Sequence, residues 1–316
     1  MSTRRARGRK IIPLSPFKRH KSYQSHFETG CQFYSSGRVD EAIEEFRRAA
    51  ALDRRDPESR IQLGLAYASK GDYPTAVTYF RRGIELNPKD AEVYFHLGMA
   101  LFYSSDIKEA ARIWKKGLVL QPHDLDLHMA LAEAYSLLGQ YSRTYEYVEK
   151  VLQIDPKNVE ALNIRGRTYL QEGKSQQARD ELRKAIRHHP YYATTYVNLG
   201  IVYTHMGLLD AALVQFRRAL RIDPRHTEAY INLGHALWHK GDHWNAIEAF
   251  SEAAKIDPED REAFYFAGMV YAELKAYRES ERCLKQALLL DSTFEEARAN
   301  LIKVQEKLKS AGGKDS

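Results

Sequence analysis

Small, large and turn-forming positions along this chain fall into columns that recur every 34 residues. Pro88, Pro122, Pro156, Pro190, Pro224 and Pro258 stand at that spacing. Laid out from Tyr23, the sequence divides into eight contiguous units that start at 23, 57, 91, 125, 159, 193, 227 and 261, end at Phe294 and contain no insertion. Position 8 of the unit is Gly in all but one, as at Gly30, Gly64 and Gly98, and Ala132 is the exception. Position 20 is small, as at Ala42, Ala76 and Ala110, and position 24 is large and apolar, as at Phe46, Phe80, Trp114 and Phe216. Small positions facing large ones let two antiparallel helices interdigitate. Position 15 is Gly37, Gly71, Gly139, Gly173, Gly207 or Gly241 in six units, the residue that ends a helix in the left-handed conformation. Each unit therefore predicts helix, Gly turn, helix, and then a stop such as Asn87-Pro88 or Asp155-Pro156.

These columns resemble the tetratricopeptide repeat, with an aromatic at 4, Leu-Gly at 7 and 8, Tyr at 11, Ala at 20, Phe at 24, Ala at 27 and Pro at 32. The sixth unit matches nearly throughout, with Tyr196, Leu199, Gly200, Tyr203, Ala212, Phe216, Ala219 and Pro224. The resemblance covers 23–294, in repeats 23–56, 57–90, 91–124, 125–158, 159–192, 193–226, 227–260 and 261–294. The first unit departs at His26, Thr29 and Arg54, and the eighth at Ala267, Ser280 and Ser292. The fourth departs most, at His128, Ala132, Thr144, Val148 and Val151, and is expected to open most easily. The resemblance implies an all-α, right-handed α-α superhelix, a solenoid with its ligand groove on the face of the first helices. Beyond the repeats, Thr293-Phe-Glu-Glu296 reads as a capping box and Ala297, Leu301, Val304 and Leu308 as one apolar stripe. They predict a capping helix over 295–309, followed by a disordered end at 310–316.

On the face so implied, positions 5, 9, 12 and 13 of the first four units present Phe27, Cys31, Tyr34, Ile61, Leu65, Phe95, Met99, Phe102, Tyr103 and Met129. This apolar ribbon, interrupted by Glu28, Gln62, His96 and Glu133, is expected to lie outside the inter-helix core and to hold an apolar peptide or amphipathic helix. The family's carboxylate clamp needs Lys at 5 and Asn at 9, a pair that no unit has; Phe95 and Met99 stand there in the third. Asn198 and Asn232, both at position 6, resemble two rungs of the asparagine ladder of glycosyltransferase solenoids, and no glycosyltransferase domain fits in the remainder. His235 and Trp238 complete the expected groove lining. His235, His239 and His243 recur every four residues with His205 one unit before, but no carboxylate completes a metal set on that face. No Gly-rich phosphate loop occurs, and neither Cys31 nor Cys283 has the His and Asp arrangement of a nucleophile. The reading is a protein-interaction scaffold that is not an enzyme and carries no cofactor.

Composition adds a compartment and a second candidate surface. With 44% hydrophobic residues the chain can bury a core, and two cysteines build no disulfide framework, which fits a reducing, cytoplasmic setting. No apolar run approaches a membrane span, and the opening MSTRRARGRK leads into IIPLSPF, broken by Pro13 and Pro16, which reads as no export signal. The net charge of +6 is unevenly placed. Residues 1–22 carry Arg4, Arg5, Arg7, Arg9, Lys10, Lys18, Arg19 and Lys21 and no acid, leaving 40 basic and 42 acidic residues in 23–316. That segment is expected to be a disordered basic tail, and its alternative reading is an anchor for nucleic acid or anionic membrane. A further alternative is a regulatory subunit of a separately encoded enzyme.

Overall fold

The structure, a computed structural model, describes residues 21–312, so the tail residues Arg4, Arg5, Arg7, Arg9, Lys10, Lys18 and Arg19 lie outside it. The described chain is a succession of helix hairpins. They are α1 (Lys21–Ser35) with α2 (Val39–Leu52), α3 (Pro57–Ser69) with α4 (Tyr73–Leu86), α5 (Ala91–Tyr103) with α6 (Ile107–Leu120), and α7 (Leu125–Leu137) with α8 (Tyr141–Ile154). There follow α9 (Val159–Gln171) with α10 (Ser175–His188), α11 (Ala193–His205) with α12 (Leu209–Ile222), α13 (Thr227–His239) with α14 (His243–Ile256), and α15 (Arg261–Glu273) with α16 (Tyr277–Leu290). A single helix, α17 (Glu295–Gly312), closes the series, and no strand occurs among the described residues. The described residues fall into two compact units, 21–164 and 165–312.

The turn inside each hairpin has one hydrogen-bond scheme. In the second hairpin the Asp72 amide donates to the Tyr67 carbonyl at 3.0 Å and the Gly71 amide to the Ala68 carbonyl at 3.0 Å. This crossed pair satisfies carbonyls that the helix end leaves orphaned, and it needs a left-handed residue between them. Gly71 supplies it with φ +79°. In the third and eighth hairpins the same place is filled by Ser105 (φ 66°) and Lys275 (φ 59°), each carrying the strain of a Cβ in that region. Aspartates start many of the helices: Asp56 accepts from the Ser59 amide at 2.8 Å and Asp124 from the Leu127 amide at 2.9 Å.

The core of a hairpin is the contact between positions 8 and 24. A Cβ built on Gly64 would sit 2.6 Å from a ring carbon of Phe80, and one on Gly234 would sit 2.6 Å from Phe250. The fourth hairpin solves the same problem with Ala132 and Val148, both fully buried: a methyl is added where a phenyl ring is removed. His128 takes the place of the position-4 tyrosines there. Tyr196 donates its hydroxyl to the Pro190 carbonyl at 2.9 Å, and His128 Nε2 meets the Pro122 carbonyl at 2.9 Å, but His128 Nδ1 is buried without a partner.

Two expectations for the C-terminal end are corrected. The Thr293 amide and hydroxyl donate to Asp291 at 2.8 and 2.6 Å, so the amide that a capping box would give to Glu296 is taken by the aspartate two residues back. Residues 310–312 continue α17 and are not part of a disordered end. Ala297 and Val304 of α17 pack with Leu284 and Ala287 of α16, with Leu301 and Leu308 beside them, as the apolar stripe predicts.

Candidate functional site

In the unit of residues 21–164 the expected ribbon separates by position. Phe27, Ile61 and Met129, all at position 5, are 2%, 1% and 4% exposed, so the expectation that they line an open groove is corrected. The reason is local packing: Phe27 lies between Tyr23 and Phe46 at ring distances of 5.9 and 5.8 Å. Ile61 fills the space over Gly83, where a Cβ would be 3.0 Å from its Cγ1. Position 5 is therefore not uniform: Phe27, Ile61 and Met129 belong to the hairpin core, whereas Phe95 stays half-buried. Cys31 is buried as well, and burial, with the charges of Glu28 and Glu58, pushes its thiol up to about 11, so it is no nucleophile at neutral pH.

The rest of the ribbon stays at the surface. Leu65, Phe95, Met99 and Phe102 are half-buried, and Tyr103 is 50% exposed. These side chains come from α3 and α5, and in α5 they flank the 8–24 contact of Gly98 with Trp114. Phe95 is held from below, because Trp114 donates its indole N–H to the Phe95 carbonyl at 3.0 Å. The Phe102 ring lies 5.9 Å from Trp114. Tyr103 stacks on Tyr73 of α4 at 5.2 Å, a residue that the column reading missed because position 17 has no fixed character in the repeat. His96 sits among them, its ring 5.6 Å from Phe95 and 5.9 Å from Phe80. The arrangement is chemically inert and apolar, with aromatic edges offered to a ligand.

In the unit of residues 165–312 the expected groove residues are more occupied with their own helices. Asn198 is 5% exposed, and Asn232 donates its amide to the Glu228 carbonyl one turn back at 2.8 Å. That bond engages one of the two amide N–H groups of Asn232 with its own helix. His235 is wedged edge-on against Phe266 at 4.2 Å and Phe250 at 5.2 Å. Burial, followed by the neighbouring His239, pushes its pKa down to about 4, so it stands neutral. Trp238 donates its indole N–H to Glu273 at 2.7 Å, and His243 Nδ1 lies 3.7 Å from the same carboxylate. Glu273 was not singled out from sequence, since nothing in its column marks it. Among the described residues no three His, Cys, Asp or Glu side chains converge as metal ligands, and no helix is long and apolar enough to cross a membrane.

Comparison with known proteins bears on the fold. The sequence profile of the tetratricopeptide repeat matches residues 27–91, 165–225, 197–261 and 231–293, and that of the anaphase-promoting complex, cyclosome, subunit 3 matches residues 113–185. No curated protein sequence is detectably similar to the chain. Among solved structures, yeast Tom70 is similar with a TM-score of 0.72 at 16% identity over 95% of this chain and 67% of its own. A tetratricopeptide repeat protein from Parabacteroides merdae gives 0.62 at 17% identity over 79% and 98%. A chain of the APC/C hetero-tetramer Cut9-Hcn1 gives 0.62 at 15% identity over 87% of this chain, which spans about half, 54%, of that relative's length. At these identities the likeness is one of fold, the all-α helical-hairpin solenoid.

Proposed function

The chain belongs to the tetratricopeptide repeat family, and on that premise we propose that it is a non-enzymatic scaffold that holds an apolar or amphipathic segment of a partner protein. The binding face is that of α3 and α5. The observation that carries this reading is the group Leu65, Phe95, Met99, Phe102 and Tyr103, apolar side chains left partly in solvent although the hairpin core beneath is already filled. Leaving them there has no return within the fold, because apolar surface gains only when removed from water. A helix laying its own apolar stripe across them would remove it.

The test is a photo-crosslinking amino acid placed at Met99 or, as control, at Val119, which is 81% exposed on the second helix α6. Crosslinks to one segment of one partner from position 99, absent from position 119 and retained when residues 1–22 are deleted, are the expected result. Equal crosslinking from both positions, or loss of the partner on deleting the basic tail, would overturn it.

A further inference from the structure

A second surface, in the unit of residues 165–312, carries charge that the fold leaves uncompensated. Several basic residues on the second helices are matched by carboxylates of their own helix three or four residues away: Arg47 with Glu44 at 2.9 Å, Arg82 with Glu85, Lys150 with Glu146 at 2.7 Å, Lys255 with Glu252 at 2.6 Å and Lys285 with Glu281 at 2.8 Å. On α12 the positions that would supply the carboxylate are Val214 and Gln215. Arg217, Arg218 and Arg221 consequently form no ion pair among the described residues. Nearby acids are engaged elsewhere: Glu181 takes Arg165 and Lys184 at 2.7 Å each, and Asp210 takes Lys240.

Two of these arginines line an open concavity of about 780 Å³ together with Pro190, Tyr191 and Ile222. Its wall holds no carboxylate, and Tyr191 is 84% exposed. Buried Tyr196 fixes both sides of it. Its hydroxyl holds the Pro190 carbonyl at 2.9 Å, and its ring supports the Arg218 guanidinium at 4.9 Å. The arginine and the tyrosine loop are therefore held in place before any ligand arrives, which lowers the ordering cost of binding.

We propose that this concavity is a docking site for a short acidic peptide segment of a protein partner. Arg218 and Arg221 hold its carboxylates, and a neighbouring apolar side chain lies on Tyr191 and Ile222. Guanidinium forks match carboxylate geometry, and an aromatic ring beside them takes a side chain at little entropic cost. The footprint favours a peptide over a nucleic acid. A polyanion backbone needs unmatched cations along several repeats, whereas the next second helix, α14, carries Lys255 as its only lysine or arginine and pairs it with Glu252. This site is separate from the α3 and α5 face and does not rest on it.

The experiment is fluorescence anisotropy of the full chain with a fluorescein-labelled peptide of three Glu-Glu-Leu units. Its Gln-Gln-Leu counterpart and a labelled single-stranded RNA of similar length serve as the other arms. Arg218→Glu with Arg221→Glu, and separately Val214→Glu, are expected to weaken the acidic peptide at least about tenfold. Val214 is 53% exposed, so the second variant places an internal carboxylate partner beside Arg217 and Arg218 without entering the core. Phe95→Ser with Met99→Ser is expected to leave this binding unchanged, which keeps a failure here distinct from a failure of the apolar face. The proposal is overturned if the acidic peptide does not bind, binds no better than its Gln counterpart, or is indifferent to both α12 variants. Tighter binding of the RNA, lost with the same variants, would overturn it in favour of a nucleic acid.

Discussion

Gly64→Ala puts a methyl group into the contact that defines each hairpin. The new Cβ would lie 2.6 and 2.7 Å from two ring carbons of Phe80, where carbon atoms at rest stand about 3.5–4.0 Å apart. Phe80 is fully buried, with His96 stacked at 5.9 Å, so the ring has to shift by about 1 Å against packed neighbours. Overpacking of that kind costs about 1–3 kcal/mol, and the better helix propensity of Ala returns about 0.5–1 kcal/mol. The net expectation is a loss of roughly 1–2 kcal/mol in α3 and α4. Repeat arrays need not unfold in one step, so the reading is amide hydrogen exchange of those two helices, with a global melt as a secondary measure. The fourth hairpin suggests the rescue, since it carries Ala132 with Val148. Phe80→Val alone creates a cavity, but added to Gly64→Ala it should cost less than the two single changes summed, with a coupling of about 1 kcal/mol. A neutral or stabilising Gly64→Ala, or strict additivity in the pair, would refute the packing argument.

The remaining predictions concern single sites. Ser105→Gly should stabilise the third hairpin by about 0.5–1 kcal/mol by relieving a Cβ at φ 66°, as measured by slower exchange in α5 and α6. His128→Tyr should keep the bond to the Pro122 carbonyl and remove the unpartnered Nδ1, stabilising the fourth hairpin by about 1 kcal/mol in the same assay. Because the fourth hairpin joins that unsatisfied nitrogen to an altered 8–24 contact, Ala132 with Val148, α7 and α8 are also expected to exchange fastest among the hairpins of the wild-type chain. His235 titrates near 6.5 when unfolded and near 4 when folded, so its contribution is complete above pH 6.5 and declines as pH falls toward 4, by up to ~3 kcal/mol. Unfolding of His235→Phe followed from pH 7 to 4 should show a flatter acid limb than wild type.

What was legible in the sequence follows from what one column can encode. Helix ends and turns were readable because Gly37, Gly71 and their equivalents are needed for a left-handed residue, and the period carried the turn through Ser105 and Lys275 where no glycine marks it. The 8–24 contact was readable because both partners keep their size classes. Position 5 was misjudged because the fate of Ile61 depends on Gly83 in another helix, and a column taken alone carries no record of its opposite number. The bond from the Asn232 amide to the Glu228 carbonyl was not legible, because it is a choice made by rotamer and not by residue type. The uncompensated arginines of α12 were present in the sequence, with Val214 standing where four other repeats carry Glu44, Glu146, Asp180 and Glu248. That absence gained meaning only once the fold set Tyr191 beside Arg218 and Arg221.

The central claim is that the half-buried apolar side chains of α3 and α5 bind the partner without belonging to the hairpin core. The direct measurement is the affinity of wild type and of Phe95→Ser with Met99→Ser for the partner segment identified by crosslinking at position 99, by calorimetric titration, with the melting curve of each protein beside it. Each side chain removes about 1.5–3 kcal/mol of apolar burial from the complex if it is fully covered there. The account predicts at least a tenfold loss of affinity with the helices and the melting curve retained. Unchanged affinity, or a sharp fall in thermal stability with the loss of binding, would contradict it, since the first denies contact and the second makes Phe95 and Met99 core.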